Sequence, residues 1–155
     1  LVHYYFRSME ALFVEVFRRR ADESLVRAER ALAASSSLRT LWEINADHRG
    51  VAFNVEFVAL AKLHEAIRAE VARYAERYRA MQLRGMAAAL AAAGVSDEEL
   101  PPIVALLLVT GLTQVVSLEW SLGFTAGHEE TLSFVTALID RLEPETRTTG
   151  RGAPR

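Results

Sequence analysis

The side chains that could carry out acid-base or metal chemistry are few, and they do not form a catalytic or metal-binding pattern. The chain has no cysteine and four histidines, His3, His48, His64 and His128. No spacing between them puts two metal ligands on one helical face, and the HEETL segment at His128 lacks the second histidine of a zinc protease motif. Asp47 and His48 are adjacent, so they would not face each other on a helix. With no phosphate-binding glycine loop, the sequence predicts no enzyme, no metal and no cofactor.

A line of polar side chains runs instead through the most apolar stretch of the chain, 101–122. Its members recur at steps of four, three and four residues: Thr110, Gln114, Ser117 and Ser121. Polar groups on a buried helix need hydrogen-bond partners. The partner could be a ligand in a cavity, a second copy of the chain, or a backbone carbonyl, and the sequence leaves these alternatives open.

Large aromatic and sulfur-containing side chains accompany this polar line. Each one taken alone is more simply explained as a core residue, but together they indicate a cavity between helices. The predicted ligand-binding residues are Trp42, Phe53, Phe57, Tyr74, Tyr78, Met81, Gln114, Ser117 and Trp120. The helix faces that carry these residues have no lysine or arginine. We therefore expect a small, hydrophobic, neutral or weakly polar ligand.

The stretch 101–122 also predicts an interface between two copies of the chain. Its first eighteen residues carry no charge, and a helix that is apolar round most of its circumference must be buried on more than one side. A second copy could cover what the chain's own helices leave open. The predicted dimer-interface residues are Leu106, Leu112, Val116, Leu132, Val135 and Ile139.

Composition narrows the class of protein further. The net charge is -2, so no global basic field draws the chain to nucleic acid, and DNA contacts would have to be local or outside this chain. The start of the chain does not have the pattern of a signal peptide, which favours a cytoplasmic location. Gln114, Glu119 and the Pro-Pro start argue against a membrane span at 101–122.

Hydrophobic periodicity predicts an all-α fold. The alternating segment VAFNVEF at 51–57 resembles a strand, but a lone strand would leave its backbone unpaired, so we interpret it as helical. The tail, 144–155, has a composition typical of disorder. The predicted helices are 9–33, 38–49, the segment around 51–57, 64–93, 101–122 and 128–143.

The first thirteen residues, LVHYYFRSMEALF, resemble the junction between the recognition helix and the next helix in the TetR family of one-component transcriptional regulators. The usual family pattern is close to L-Y-x-H-F-x-S-K-E-A-L. The residues that match it, some conservatively, are Leu1, Tyr5, Phe6, Ser8, Glu10, Ala11 and Leu12. One position departs from the pattern, because Met9 stands where the family usually has a lysine that contacts phosphate.

The resemblance implies three parts. Residues 1–8 would be the end of a helix-turn-helix DNA-binding domain that is mostly missing here, 9–143 a helical ligand-binding and dimerisation domain, and 144–155 the tail. By position, His3, Tyr4 and Tyr5 match family residues that approach DNA, although packing is the simpler explanation for Tyr5.

The family's mechanism gives the expected function. Two subunits would join through 101–122 and 128–143 into a four-helix bundle, and would read operator half-sites separated by multiples of about 34 Å. A small hydrophobic ligand would displace the helix 9–33 and release the repressor from DNA. The alternative is a stand-alone helical ligand-binding or interaction module that does not bind DNA. An arginine-rich helix-turn-helix pattern encoded upstream of Leu1 would favour the regulator.

Overall fold

Regular structure between residues 9 and 143 is entirely helical. The computed structural model describes the backbone of 9–143, and all side chains in that range except those of 48–54. The helices are α1 (Met9–Ala34), α2 (Leu38–Asn45), α3 (His48–Ala61), α4 (Glu65–Ala92), α5 (Pro102–Ser121) and α6 (His128–Leu142). The all-α prediction is therefore confirmed for the described part of the chain, including the alternating segment 51–57, which lies within α3.

One predicted boundary is wrong. The helix predicted over 38–49 ends at Asn45, and α3 begins at His48. At that end the Asn45 side chain turns back, and its Nδ2 donates to the carbonyl oxygen of Leu41 at 2.8 Å. Asparagine side chains compete in this way for backbone groups, which favours helix ends over helix interiors.

The long helix α4 lies at the centre of the described fold and packs against α1, α2, α3 and α5. Steps of four and three residues along this helix predict one apolar seam, and its two end residues are buried. The seam consists of Ile67, Val71, Tyr74, Tyr78 and Met81. Gly85 permits the close approach of α1, since a Cβ at this position would lie 3.2 Å from Leu32 Cδ2. A helix that packs against four others fixes their relative positions.

Two hydrophobic cores lie along α4. The larger joins the second half of α1 to α2, α5 and the end of α6, around residues such as Leu41, Met86 and Leu106. The smaller joins the first half of α1 to α3 around Phe17. Tyr74 packs against both cores, so this side chain stands at their boundary.

Glycines end α4 and α5 in the same way. Gly94 has φ +76° and Gly123 has φ +75°, values that favour glycine because they need no Cβ. After α4, Val95 N donates to Leu90 O and Gly94 N donates to Ala91 O. This pair of bonds is a Schellman motif, which satisfies carbonyl groups that a helix end otherwise leaves open.

Glu70 ties α1 to α4 through charge. Its buried carboxylate accepts from Arg18 of α1, and also from Arg73 Nη2 at 2.7 Å. The hydrogen bond from Arg18 is the largest influence on Glu70, and despite the opposing effect of burial it holds the pKa of this carboxyl below its usual value. A lowered pKa in the folded state means that ionised Glu70 stabilises the fold.

Acidification is expected to remove this stabilisation. It is fully present above the unfolded carboxyl pKa of about 4.3 and is lost as the pH falls through the lower folded value. In urea titrations from pH 7 to pH 2.5, Glu70→Gln should therefore lose less stability than the wild type. Glu65→Gln is the matched control, because Glu65 has an exposed side chain 3.8 Å from Arg68 on the same helix. Equal pH dependence of wild type and Glu70→Gln would contradict the prediction.

Helix α6 is held to the other helices by a few side-chain contacts, several of them near its C-terminal end. It makes only sparse backbone approaches to the other described helices, while Ile139 enters the larger core. Beyond its last turn, the Glu143 carboxylate accepts from Leu38 N at 2.5 Å and from Arg39 N at 3.3 Å. The first N–H groups of a helix have no partner within it, and here the carboxylate that follows α6 binds those of α2.

Candidate functional site

A cavity of about 330 Å³ lies between α2, α3, α4 and α5. This volume is at the low end of the range of about 300–1,000 Å³ that small-molecule sites occupy. Apolar side chains form much of the wall: Ile44, Val55, Val58, Val71, Ala75 and Leu106. The polar lining residues are Ser24, Asn45, Asp47, Tyr74, Tyr78, Arg79, Gln82, Thr110, Thr113 and Gln114. Ser24 extends the lining to α1.

Two tyrosines of α4 give the cavity an aromatic wall. The ring centroids of Tyr74 and Tyr78 are 5.3 Å apart, and the ring planes are inclined by 32°. Burial raises the pKa of both phenols, and a hydrogen bond with Ser24 acts in the opposite direction. Both side chains therefore stay uncharged at neutral pH and offer the cavity a ring and a neutral hydroxyl.

Gln82 supplies the least satisfied polar group in the cavity. The residue is only 1% exposed, and its Nε2 atom makes no hydrogen bond to any described residue. A buried amide with an unmade bond costs free energy, and such groups are rare in folded proteins. Since Gln82 lines the cavity, a molecule placed there could accept this bond.

The hydroxyl groups on the α5 side of the cavity are already bonded. Thr110 Oγ1 donates to Leu106 O at 2.9 Å, and Thr113 Oγ1 donates to Val109 O at 3.0 Å. Further along the same helix, Ser121 Oγ donates to Leu118 O. Of the three partners considered for the polar line of 101–122, Thr110 and Ser121 therefore have a backbone carbonyl group. Gln114 is exposed and lines the cavity.

Charged groups lie only where the cavity lining is exposed. Asp47 and Arg79 are the two charged lining residues, both are exposed, and they have opposite signs. Neither sign of charge therefore dominates the lining. A molecule bound in the cavity would meet neutral groups in the interior.

The predicted ligand-binding residues divide into two groups. Tyr74, Tyr78 and Gln114 line the cavity. The others do not: Phe57 and Met81 are buried in the cores, Trp42 packs against the larger core, Ser117 is half-buried, and Trp120 is exposed. The side chain of Phe53 lies outside the described residues. Sequence reasoning missed Gln82, whose signal was a glutamine directly beside the α4 seam residue Met81.

The predicted dimer-interface residues are buried or half-buried within one copy of the chain. Leu106, Val116 and Ile139 are buried within one copy, and Leu112, Leu132 and Val135 are half-buried. Periodicity also predicts that Leu138 of α6 points inward, and this prediction is wrong, because Leu138 is exposed. Only one side of α5 is buried, and its opposite side is open.

The open side of α5 is apolar. Exposed residues recur at steps of four and three along it, and we call them the α5 stripe: Val104, Leu108, Gly111, Val115, Leu118 and Leu122. Phe134 and Leu138 are exposed on α6. Exposed apolar side chains along one face of a helix are typical of an interaction site.

Helix α5 is also the one described helix long and apolar enough to cross a membrane. Core helices of soluble proteins meet the same criterion. Here Leu106 and Val116 are buried against the other helices, and Glu119 near its end lies 2.8 Å from the buried ring of His128.

The predicted DNA-binding residues His3, Tyr4 and Tyr5 lie outside the described residues. Comparison of the chain with models of protein families, with curated proteins and with solved structures finds no match.

Proposed function

We propose that the chain is the regulatory part of a cytoplasmic, ligand-responsive transcriptional regulator of TetR type. In this proposal it is a repressor that binds operator DNA as a homodimer and is released by a small hydrophobic ligand. The observation that carries the proposal is the 330 Å³ cavity, which combines apolar walls with a buried, unpartnered amide. The sequence resemblance at residues 1–13 supplies the link to DNA.

Contacts from the cavity to α1 support a regulatory role. Tyr74 lines the cavity, and its ring meets the buried ring of Phe17 edge to face, with centroids 5.7 Å apart. Phe17 in turn lies 5.0 Å from the ring of Phe57 on α3. A ligand that displaces Tyr74 would therefore displace α1, whose start directly follows the segment that resembles the end of a recognition helix. Ligand and operator would then favour different positions of α1, which is the condition for allosteric coupling.

The α5 stripe supports the dimer. Its steps of four and three are the spacing by which one helix packs against another, and Gly111 has open space around it. Together with Phe134 and Leu138 of α6, the stripe offers two helices from each copy, as a four-helix bundle requires. In this arrangement the exposed neighbours of Leu106 and Val116, rather than those residues themselves, meet the second copy.

Selection of genomic DNA fragments tests the proposal. The protein encoded by the full open reading frame is mixed with sheared genomic DNA, and retained fragments are sequenced. We expect a short motif with two half-sites to be enriched. A library of neutral hydrophobic compounds is screened in parallel by thermal shift, and compounds that stabilise the protein should release the enriched fragment in fluorescence anisotropy.

Two outcomes would count against the regulator. If no fragment is enriched while small molecules still stabilise the protein, the stand-alone ligand-binding module is the better function, in line with the net charge of -2. If only polyanions stabilise the protein, a hydrophobic ligand is excluded.

A further inference from the structure

Gln82 lines the cavity, and its Nε2 atom is buried without a hydrogen-bond partner among the described residues. A hydrogen-bond donor in such a place discriminates between ligands. An acceptor on the ligand gains a bond, while a ligand of the same shape without one leaves the amide unpaired.

We propose that the cavity binds uncharged aryl ketones and related aryl carbonyl compounds, with Gln82 Nε2 donating to the carbonyl oxygen. This proposal rests on the proposed ligand-binding function and specifies the chemistry of its site. Three properties of the lining carry it: the donor without a partner, the paired rings of Tyr74 and Tyr78, and the absence of a buried charge.

The hydroxyls of Tyr74 and Tyr78 interact with Ser24, and three other polar lining groups are bonded to the backbone. The hydroxyls of Thr110 and Thr113 already donate to the backbone of α5, and Asn45 Nδ2 donates to Leu41 O. Among the buried lining side chains, Gln82 thus has the donor that remains open. The aromatic part of the ligand packs on the tyrosine rings, because such rings prefer offset or edge contacts at about 4.5–7 Å.

The test compares two probes that differ by one carbonyl group, dihydrochalcone and 1,3-diphenylpropane. Gln82→Met keeps a long unbranched side chain and removes the donor. We expect isothermal titration calorimetry to show that Gln82→Met weakens dihydrochalcone binding about tenfold and leaves diphenylpropane binding unchanged or tighter. The apo variant should melt no lower than the wild type, because it loses an unpaired buried amide and no hydrogen bond.

Thr113→Val is the matched control in the same cavity. It removes a hydroxyl that is already bonded to the backbone, so the relative affinity for the two probes should stay that of the wild type. If Gln82→Met fails to fold, wild-type protein labelled with ¹⁵N-glutamine gives the answer. The chain has only two glutamines, Gln82 and Gln114, and dihydrochalcone should move the side-chain amide signal of Gln82 much more than diphenylpropane does.

Three results would overturn the proposal, and they separate it from the proposed function. Equal effects of Gln82→Met on the binding of both probes, or equal shifts of the Gln82 signal, would show that Gln82 does not bind the carbonyl oxygen. A water molecule that accepts the hydrogen bond from Gln82 would give this result. Failure of both probes to bind the wild type would exclude the aryl carbonyl class. In each of these cases, stabilisation of the protein by another compound would still support the proposed function. If no compound in the whole library stabilises the protein, both the proposed function and the aryl carbonyl proposal are refuted.

Discussion

Leu108→Glu is expected to convert a dimer into a monomer. Leu108 lies on the α5 stripe with 64% of its surface exposed, so the substitution should leave the core of one copy intact. In a dimer it would remove an apolar contact from each copy and place two carboxylates in an apolar interface. Losing the apolar contacts alone is worth about 3 kcal/mol for two leucines, which is about a hundredfold in the dissociation constant.

Sedimentation equilibrium at micromolar concentration measures this effect. The wild type should sediment at twice its mass of 17.2 kDa, and Leu108→Glu at the single mass with an unchanged helical circular dichroism spectrum. Leu63→Glu is the matched control, since Leu63 is 80% exposed in the turn between α3 and α4, away from the stripe. A monomeric wild type would refute the dimer, and co-flotation of that monomer with phosphatidylcholine vesicles would assign the α5 stripe to a membrane surface.

Phe17→Ala is expected to cause the largest loss of stability among single substitutions in α1. Phe17 is buried at the centre of the smaller core, between Phe57 of α3 and Tyr74 of α4. Truncating a buried phenylalanine to alanine costs about 3–5 kcal/mol, because apolar contacts are lost and a void remains. For a chain of this size the melting temperature should fall by about 6–20 °C.

Val16→Ala gives the control within the same helix. Val16 is exposed, so its truncation should change stability by no more than about 0.5 kcal/mol. Thermal melts followed by circular dichroism compare the two variants. Similar melting temperatures for Phe17→Ala and the wild type would mean that the aromatic contacts between α1, α3 and α4 are not important for the fold.

Periodicity sufficed to predict the helices because burial follows it closely in α1 and α4. In α1, apolar residues at steps of three and four predict one buried face, although Val16 of that series is exposed. The members that the structure buries are Phe17, Ala21, Leu25, Ala28 and Leu32. The position of the break between the two helices predicted in 38–61 was harder to predict, since the first ends at Asn45 and not at 49. At this end Asn45 Nδ2 donates to Leu41 O, and hydrophobic periodicity does not predict such a bond.

The cavity was only partly predictable, for a physical reason. Large aromatic residues line cavities and fill cores alike, so composition could not separate Tyr74 and Tyr78, which line the cavity, from Phe57 and Met81, which are in the cores. Gln82 is informative only through its missing partner, and hydrogen-bond satisfaction depends on the three-dimensional surroundings. For a similar reason the sequence could not show which face of α5 is buried. Leu106 and Leu108 are chemically identical but lie on opposite sides of the helix.

The cap that Glu143 places on α2 has a consequence for folding during synthesis. The bond from Leu38 N to this carboxylate joins residues that are 105 positions apart, so it raises the contact order of an otherwise locally connected helical chain. Helix α2 leaves the ribosome early, but its first amide donors obtain this partner only after α6 has emerged. We therefore expect nascent chains that stop before Glu143 to protect the amides of Leu38 and Arg39 from hydrogen exchange less well than the complete chain.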